Sequence, residues 1–214
     1  MKNVIALVAG EPVSINSEII AKTWRKLSKR NFFVIGNYSL LKKQLNKLGL
    51  KTPLKKINSF KDFKVESKLN ILDIPLKFSS VFKRNHHQKK YVLECLNKAH
   101  KLAIEKKIKG FVNAPVDKRI FGSKNIGVTE YLSNKNNVRN QEVMMIHNKQ
   151  LSVVPITTHI EISKIKKKIN KDLIMKKIVV LNKQYRSLFH KKPQIALLGL
   201  NPHNDENRKD SFEN

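Results

Sequence analysis

The sequence predicts an α/β fold, a sheet with helices packed on its faces. Two observations carry that expectation. Short apolar runs alternate with stretches of helical period from one end of the chain to the other. Small or chain-breaking residues then follow several of the runs, beside a polar group. Loops beyond the carboxyl ends of sheet strands have this composition, and ligands collect there.

Taken in order, Val4–Val8 reads as a buried strand and "GEPVSINS" as the loop after it. Ser17 is the expected N-cap of the first helix, with Glu18 favouring its dipole and Ile20, Trp24 and Leu27 at helical spacing. Phe32–Ile35 is the second strand. Ser39 opens a helix carrying Leu41, Leu45 and Leu48, and Gly49 stops it. The region from Leu50 to about Lys77 is less regular, with a strand at Asn70–Ile74. A long helix is expected from His87 to Lys107, with Val92, Leu96, Ala99 and Ala103 inward and Gly110 at its end. Phe111–Ala114 is the next strand, followed by the loop "PVDKR". Val143–Ile146 and Ser152–Ile156 read as strands paired around "HNKQ". Helical pattern returns over Glu161–Ile169 and Asp172–Phe189, and Ile195–Leu198 is the last expected strand.

Composition narrows the function classes. The formal net charge is +28, from 44 Lys+Arg against 16 Asp+Glu. The excess is nearly all lysine and is spread along the chain, without the arginines that read bases or the clustered aromatics of an RNA-binding sheet. Nucleic acid is therefore not an expected partner, although the field draws phosphorylated ligands. A single cysteine, Cys95, leaves no internal disulfide and fits a reducing compartment. No apolar run is long enough to span a bilayer, and Glu11 and Pro12 interrupt the N-terminal run too early for a signal peptide. A soluble cytoplasmic protein, without a membrane partner, is the expectation.

Four loops fall beyond predicted strands: "AGEP" at 9–12, "NAPVDK" at 113–118, "TTH" at 157–159 and "LNPH" at 200–203. His159 and His203 occupy two of them. Neutral imidazole ligates zinc and other divalent ions, yet a loop histidine is equally an ordinary polar residue, and two ligands do not complete a site. Lys118 places an ammonium where it can meet a phosphate or carboxylate, and is the candidate catalytic residue. In so lysine-rich a chain a solvated side chain is the alternative. No Walker loop, G-x-G-x-x-G, C-x-x-C or G-x-S-x-G occurs.

In sequence order, "GEP" at 10–12, "APVDK" at 114–118, "VTEYL" at 128–132, "TTHI" at 157–160 and "GLNPH" at 199–203 resemble the 4-hydroxythreonine-4-phosphate dehydrogenases of vitamin B6 biosynthesis. The resemblance implies a three-layer α/β/α fold of the isocitrate/isopropylmalate dehydrogenase type. Its N-terminal lobe would be residues 1–127, and an incomplete second lobe, 128–214, would carry the metal histidines. It implies a homodimer with active sites at the subunit interface. The implied reaction is NAD- or NADP-dependent oxidation of 4-phosphooxy-L-threonine, then decarboxylation to 3-amino-2-oxopropyl phosphate. A divalent metal, zinc first with cobalt or magnesium as alternatives, would sit on His159 and His203. No cofactor-binding residue is singled out.

Three departures accompany the match. Ser14 and Asn16 stand where the family's first loop carries glycines. Val128 stands at the histidine of a substrate-binding His-Thr pair, of which Thr129 is retained. The family continues past "NPH" to a third metal histidine, so a C-terminally truncated form that turns over little is expected. A sister activity on D-threonate or D-erythronate 4-phosphate, and a non-catalytic basic binding protein on the same scaffold, are the alternatives.

Overall fold

In the computed structural model, residues 4–27, 31–83, 87–122, 127–138, 142–158 and 160–200 are described. The chain divides into two compact units, Met1–Ile126 and Gly127–Asn214.

The first unit is built on a five-stranded, wholly parallel sheet. Its strands are β1 (Ile5–Val8), β2 (Phe32–Gly36), β3 (Leu54–Ile57), β4 (Leu69–Asp73) and β5 (Gly110–Asn113). They lie in the order β3-β4-β2-β1-β5. Parallel sheets need cover on both faces. Helix α1 (Asn16–Leu27) and helix α2 (Tyr38–Lys47) cover one, where Ile20, Ala21, Trp24, Leu41 and Leu45 meet Val34, Leu69 and Ile71. Strand alternation turns Ala6, Val8, Phe33, Ile35 and Leu72 the other way. Helix α3 (Gln88–Ile104) packs on β1, β2 and β5, with Val92, Cys95, Leu96 and Ala99 fully buried. Phe33 also meets the rings of Phe60 and Phe63 at 5.5 and 5.3 Å.

Several boundaries differ from the sequence reading, each for a local reason. Ser17 is not the N-cap of α1. The helix begins at Asn16, whose N–H is accepted by Ser14 Oγ at 3.2 Å, while the Ser17 side chain is buried inside the first turn. Helix α2 is capped by Asn37 rather than opened by Ser39, because Asn37 Oδ1 accepts from the Leu40 N–H at 2.8 Å. Gly49, at φ +65°, does end α2, and the Leu50 N–H reaches back to the Leu45 carbonyl. Gly110 does not end α3. Lys106 takes the left-handed conformation (φ 55°) instead, and Gly110 opens β5. Strand β3 was hidden because its apolar residues are split by Lys55 and Lys56.

The second unit holds α4 (Val128–Lys135), the antiparallel pair β6 (Ile146–His147) and β7 (Ser152–Val153), α5 (Ile165–Lys168) and α6 (Lys171–Phe189). The paired strands around "HNKQ" are present but shorter than expected. The helix expected over 161–169 shrinks to a 3-10 turn, Ile162–Lys164, followed by the single turn of α5. Asn170 caps α6 by accepting from the Leu173 N–H at 2.9 Å. Glu142 links two elements, its carboxylate accepting from Ser133 Oγ at 2.8 Å and its carbonyl from Lys177 Nζ at 3.2 Å. Ile195–Leu198 forms no strand: no neighbouring strand hydrogen-bonds to it among the described residues, and Leu198 is 85% exposed. Among the described residues no helix is long and apolar enough to cross a membrane.

Candidate functional site

Strand order locates a site before any side chain is considered. From β1 the chain steps to β2 on one side; from β4 it crosses back beyond β1 to β5 on the other. The connections therefore diverge between β1 and β5, and the crevice at their carboxyl ends is where open α/β sheets bind ligands. The loops after these two strands are "AGEP" and "APVDK".

Side chains and backbone join the two loops closely. The Ala114 N–H donates to the Val8 carbonyl and the Glu11 N–H to the Pro115 carbonyl, both at 3.0 Å. Gly10 turns the first loop at φ +72°. A Cβ there would lie 2.5 Å from the Pro115 carbonyl oxygen and 2.9 Å from that of Ala114, so both conformation and space demand glycine. Asn16 bridges the loops from the start of α1, its Nδ2 donating to the Pro115 carbonyl at 2.9 Å and to the Glu11 carbonyl at 3.3 Å. Ser14 Oγ donates to the same Glu11 carbonyl at 2.7 Å. Ser14 and Asn16, where the sequence resemblance implies glycines, thus tie the loop with side-chain hydrogen bonds. Glu11 itself is buried.

Beyond Pro115 the second loop turns through a 3-10 helix, Lys118–Phe121, capped by Asp117. Asp117 also grips the Arg119 guanidinium through Nε, at 3.0 and 2.9 Å, and through Nη2. That hydrogen bonding, with the charges of Asp117 and then Glu11, raises the Arg119 pKa further. Lys118, the first residue of this turn, is exposed between the two. Spacing alone gave no sign of the Asp117–Arg119 pair; an acidic and a basic residue two apart in a turn is a weak signal.

The remaining predicted residues belong to the second unit. Val128 is half-buried as the first residue of α4 and Thr129 is exposed as the second. Glu130 secures this helix start, its Oε2 accepting from the Gly127 N–H at 2.8 Å. His159 and His203 lie outside the described residues. Among the described residues, no three His, Cys, Asp or Glu side chains are grouped to hold a metal.

Comparisons with known proteins extend this geometry. The family described as "Pyridoxal phosphate biosynthetic protein PdxA" matches residues 28–211. A 4-hydroxythreonine-4-phosphate dehydrogenase of Sulfurihydrogenibium sp. (strain YO3AOP1) is 32% identical over 212 residues, 95% of this chain and 64% of that protein. The Aquifex aeolicus (strain VF5) protein of the same name is 29% identical, over 96% of this chain and 65% of its own. The chain therefore spans a little under two thirds of the length of these relatives. Among solved structures, the Klebsiella pneumoniae 4-hydroxythreonine-4-phosphate dehydrogenase superposes with a TM-score of 0.85 at 26% identity, covering 96% of this chain and 66% of that one.

Proposed function

Because this chain belongs to the PdxA family of pyridoxal phosphate biosynthetic proteins, we propose that it serves the family's dehydrogenase reaction. That reaction is the NAD-dependent oxidation of 4-phosphooxy-L-threonine at its secondary alcohol, with loss of CO2 to give 3-amino-2-oxopropyl phosphate. The family match over residues 28–211 carries the reading. The joined loops at the β1/β5 crevice support it, since they put two family motifs at one ligand-binding edge.

Within this reading the fold is of the isocitrate/isopropylmalate dehydrogenase type, with lobes at 1–127 and 128–214. NAD or NADP, when bound, would supply the hydride acceptor. A divalent metal, zinc or alternatively cobalt or magnesium, is assigned to His159 and His203 on the donor chemistry of imidazole, and when bound supplies Lewis-acid stabilisation of negative charge. The chain's own part is binding and orientation. The exposed Lys118 ammonium attracts an anionic group of the substrate, and the Asp117 grip on Arg119 fixes a second cation beside it. Thr129 offers a hydroxyl to the substrate. Val128 can neither donate nor accept, so its position only shapes the pocket. That substitution favours one second reading, a sister substrate such as D-threonate or D-erythronate 4-phosphate. A homodimer with the site at its interface belongs to the same proposal, and the exposed Ile146, Leu151, Val153, Met175, Val179 and Leu188 of the second unit offer apolar surface for it. A cytoplasmic location is likewise proposed.

The test is NADH formation from each phosphorylated acid. It is measured on residues 1–214 and on a chimera that adds the remaining third of the Sulfurihydrogenibium relative. Metal-dependent turnover of 4-phosphooxy-L-threonine by the chimera supports the main reading. Turnover of only a sister acid transfers the assignment to that acid. A folded, dimeric chimera inert towards all three would refute the dehydrogenase function.

A further inference from the structure

A second polar feature lies beside the crevice, under the first loop. The first turns of α1 and α2 converge there, at the carboxyl ends of β1 and β2, around a cavity of about 20 Å³. Its wall includes Glu11, Ser17, Asn37, Gln44 and Tyr91. Most polar atoms here have partners. Asn37 Oδ1 accepts from the Leu40 N–H, and Asn37 Nδ2 donates to the Ile74 carbonyl. Gln44 Nε2 donates to the carbonyls of Pro12 and Val81, and the Tyr91 hydroxyl accepts from the Asn37 N–H at 2.8 Å. Ser17 differs. It is 4% exposed, it lines the cavity, and its Oγ has no hydrogen-bond partner among the described residues.

A buried hydroxyl without a partner is costly, and that cost is removed when a water bridges it to other polar groups. The cavity exceeds the roughly 10–15 Å³ that one water needs, and Glu11, Asn37, Gln44 and Tyr91 line it alongside Ser17. We propose that this cavity is a binding site for one ordered water, held by Ser17 Oγ at the first turn of α1. The water joins the helix start to the wall that carries Glu11, so it forms part of the framework that positions the first loop. The site is independent of the reaction proposed above and stands if that proposal fails.

The isosteric pair Ser17→Thr and Ser17→Val separates a wet cavity from a dry one. Both add the same bulk and β-branching, and only threonine keeps the hydroxyl. With a bound water, the threonine variant melts about 2–4 °C above the valine variant, and amide exchange over residues 11–16 is faster in valine. With a dry cavity the order reverses, because valine carries no unpaired hydroxyl. A crystal structure of the parent chain provides the direct readout. Density for a water within hydrogen-bond distance of Ser17 Oγ supports the site; a dry cavity, or a Ser17 hydroxyl bonded only to its own helix, overturns it.

Discussion

Replacing Asn16 by aspartate changes one nitrogen to oxygen and should open the junction between the loops at 9–16 and 113–118. In the parent, Nδ2 donates to the Pro115 carbonyl at 2.9 Å and to the Glu11 carbonyl at 3.3 Å, from a side chain only 2% exposed. A carboxylate has no proton to donate, so both carbonyls would face an anionic oxygen. Losing two hydrogen bonds costs about 1 kcal/mol each, and a buried carboxylate without a cationic partner raises the total to about 3–5 kcal/mol. Asn16→Ala should cost less, about 1–2 kcal/mol. The Pro115 carbonyl keeps the Glu11 N–H and the Glu11 carbonyl keeps Ser14 Oγ, while the buried Asn16 Oδ1, which has no hydrogen-bond partner among the described residues, is removed as well.

The introduced aspartate also gives the effect a pH signature. Burial against two carbonyls lifts its folded pKa above the unfolded value of about 3.9. The charge-dependent part of the destabilisation is then complete above the folded pKa and disappears below the unfolded one, where the protonated acid regains one donor. Trp24 is the single tryptophan and is buried between α1 and the sheet, so its fluorescence follows unfolding of the first unit alone. At neutral pH, Asn16→Asp should melt well below Asn16→Ala, which itself falls by about 2–4 °C for each kcal/mol lost. The difference from the parent should narrow on acidification. An aspartate variant as stable as the parent at pH 7, or a difference that ignores pH, would show that the amide nitrogen does not join these carbonyls.

Tyr91→Phe removes the hydroxyl that accepts the buried Asn37 N–H, and should cost about 1–3 kcal/mol in chemical denaturation followed by Trp24. A loss below about 0.5 kcal/mol would mean that the N–H finds another acceptor. Burial pushes the Cys95 thiol up to about 12, so it should resist thiol reagents in the folded chain and react fully in denaturant; native-state labelling at pH 8 would contradict its burial. The same shift predicts alkaline destabilisation. Stability is intact below the unfolded thiol value near 8.5 and falls by about 1.4 kcal/mol per pH unit as pH rises towards the folded value. Cys95→Ala should flatten that slope, measured as the Trp24 unfolding midpoint against pH. Gly10→Ala, which places a methyl 2.5 Å from a backbone carbonyl at a positive φ, should lower the first unit's melting temperature by more than Asn16→Ala does.

How far the sequence revealed this molecule depended on whether a residue's role is local. Strand β1, helices α1 to α3 and the stop at Gly49 were legible because apolar period and terminal chemistry act within a few residues. Where two local solutions compete, the reading slipped by a residue or more. Ser17 has the right side chain for an N-cap, but Ser14 reaches the Asn16 N–H first and the helix starts earlier. Lys106 shows that an ordinary residue can supply a left-handed helix end, so the first glycine downstream is not always the stop. Strand β3 could not be seen, since lysines at 55 and 56 interrupt its apolar pattern and its identity comes from pairing with β4. Ile195–Leu198 is the converse, an apolar run that reads as a strand but is paired to none among the described residues.

The site divides along the same line. Motif loops at 10–12 and 114–118 could be picked out one by one, but their junction depends on the sheet order that places β5 beside β1, which no local pattern encodes. With that order, Ser14 and Asn16, where the sequence resemblance implies glycines, acquire a physical meaning. Glycines at 14 and 16 would leave the turn after β1 free to move. Ser14 and Asn16 close it with hydrogen bonds to two carbonyls, one of which belongs to the neighbouring loop. Their side-chain bonds add to the backbone bonds that join the two loops. A substitution that restores the family glycine at position 16 should loosen the loop while leaving the sheet beneath it unchanged.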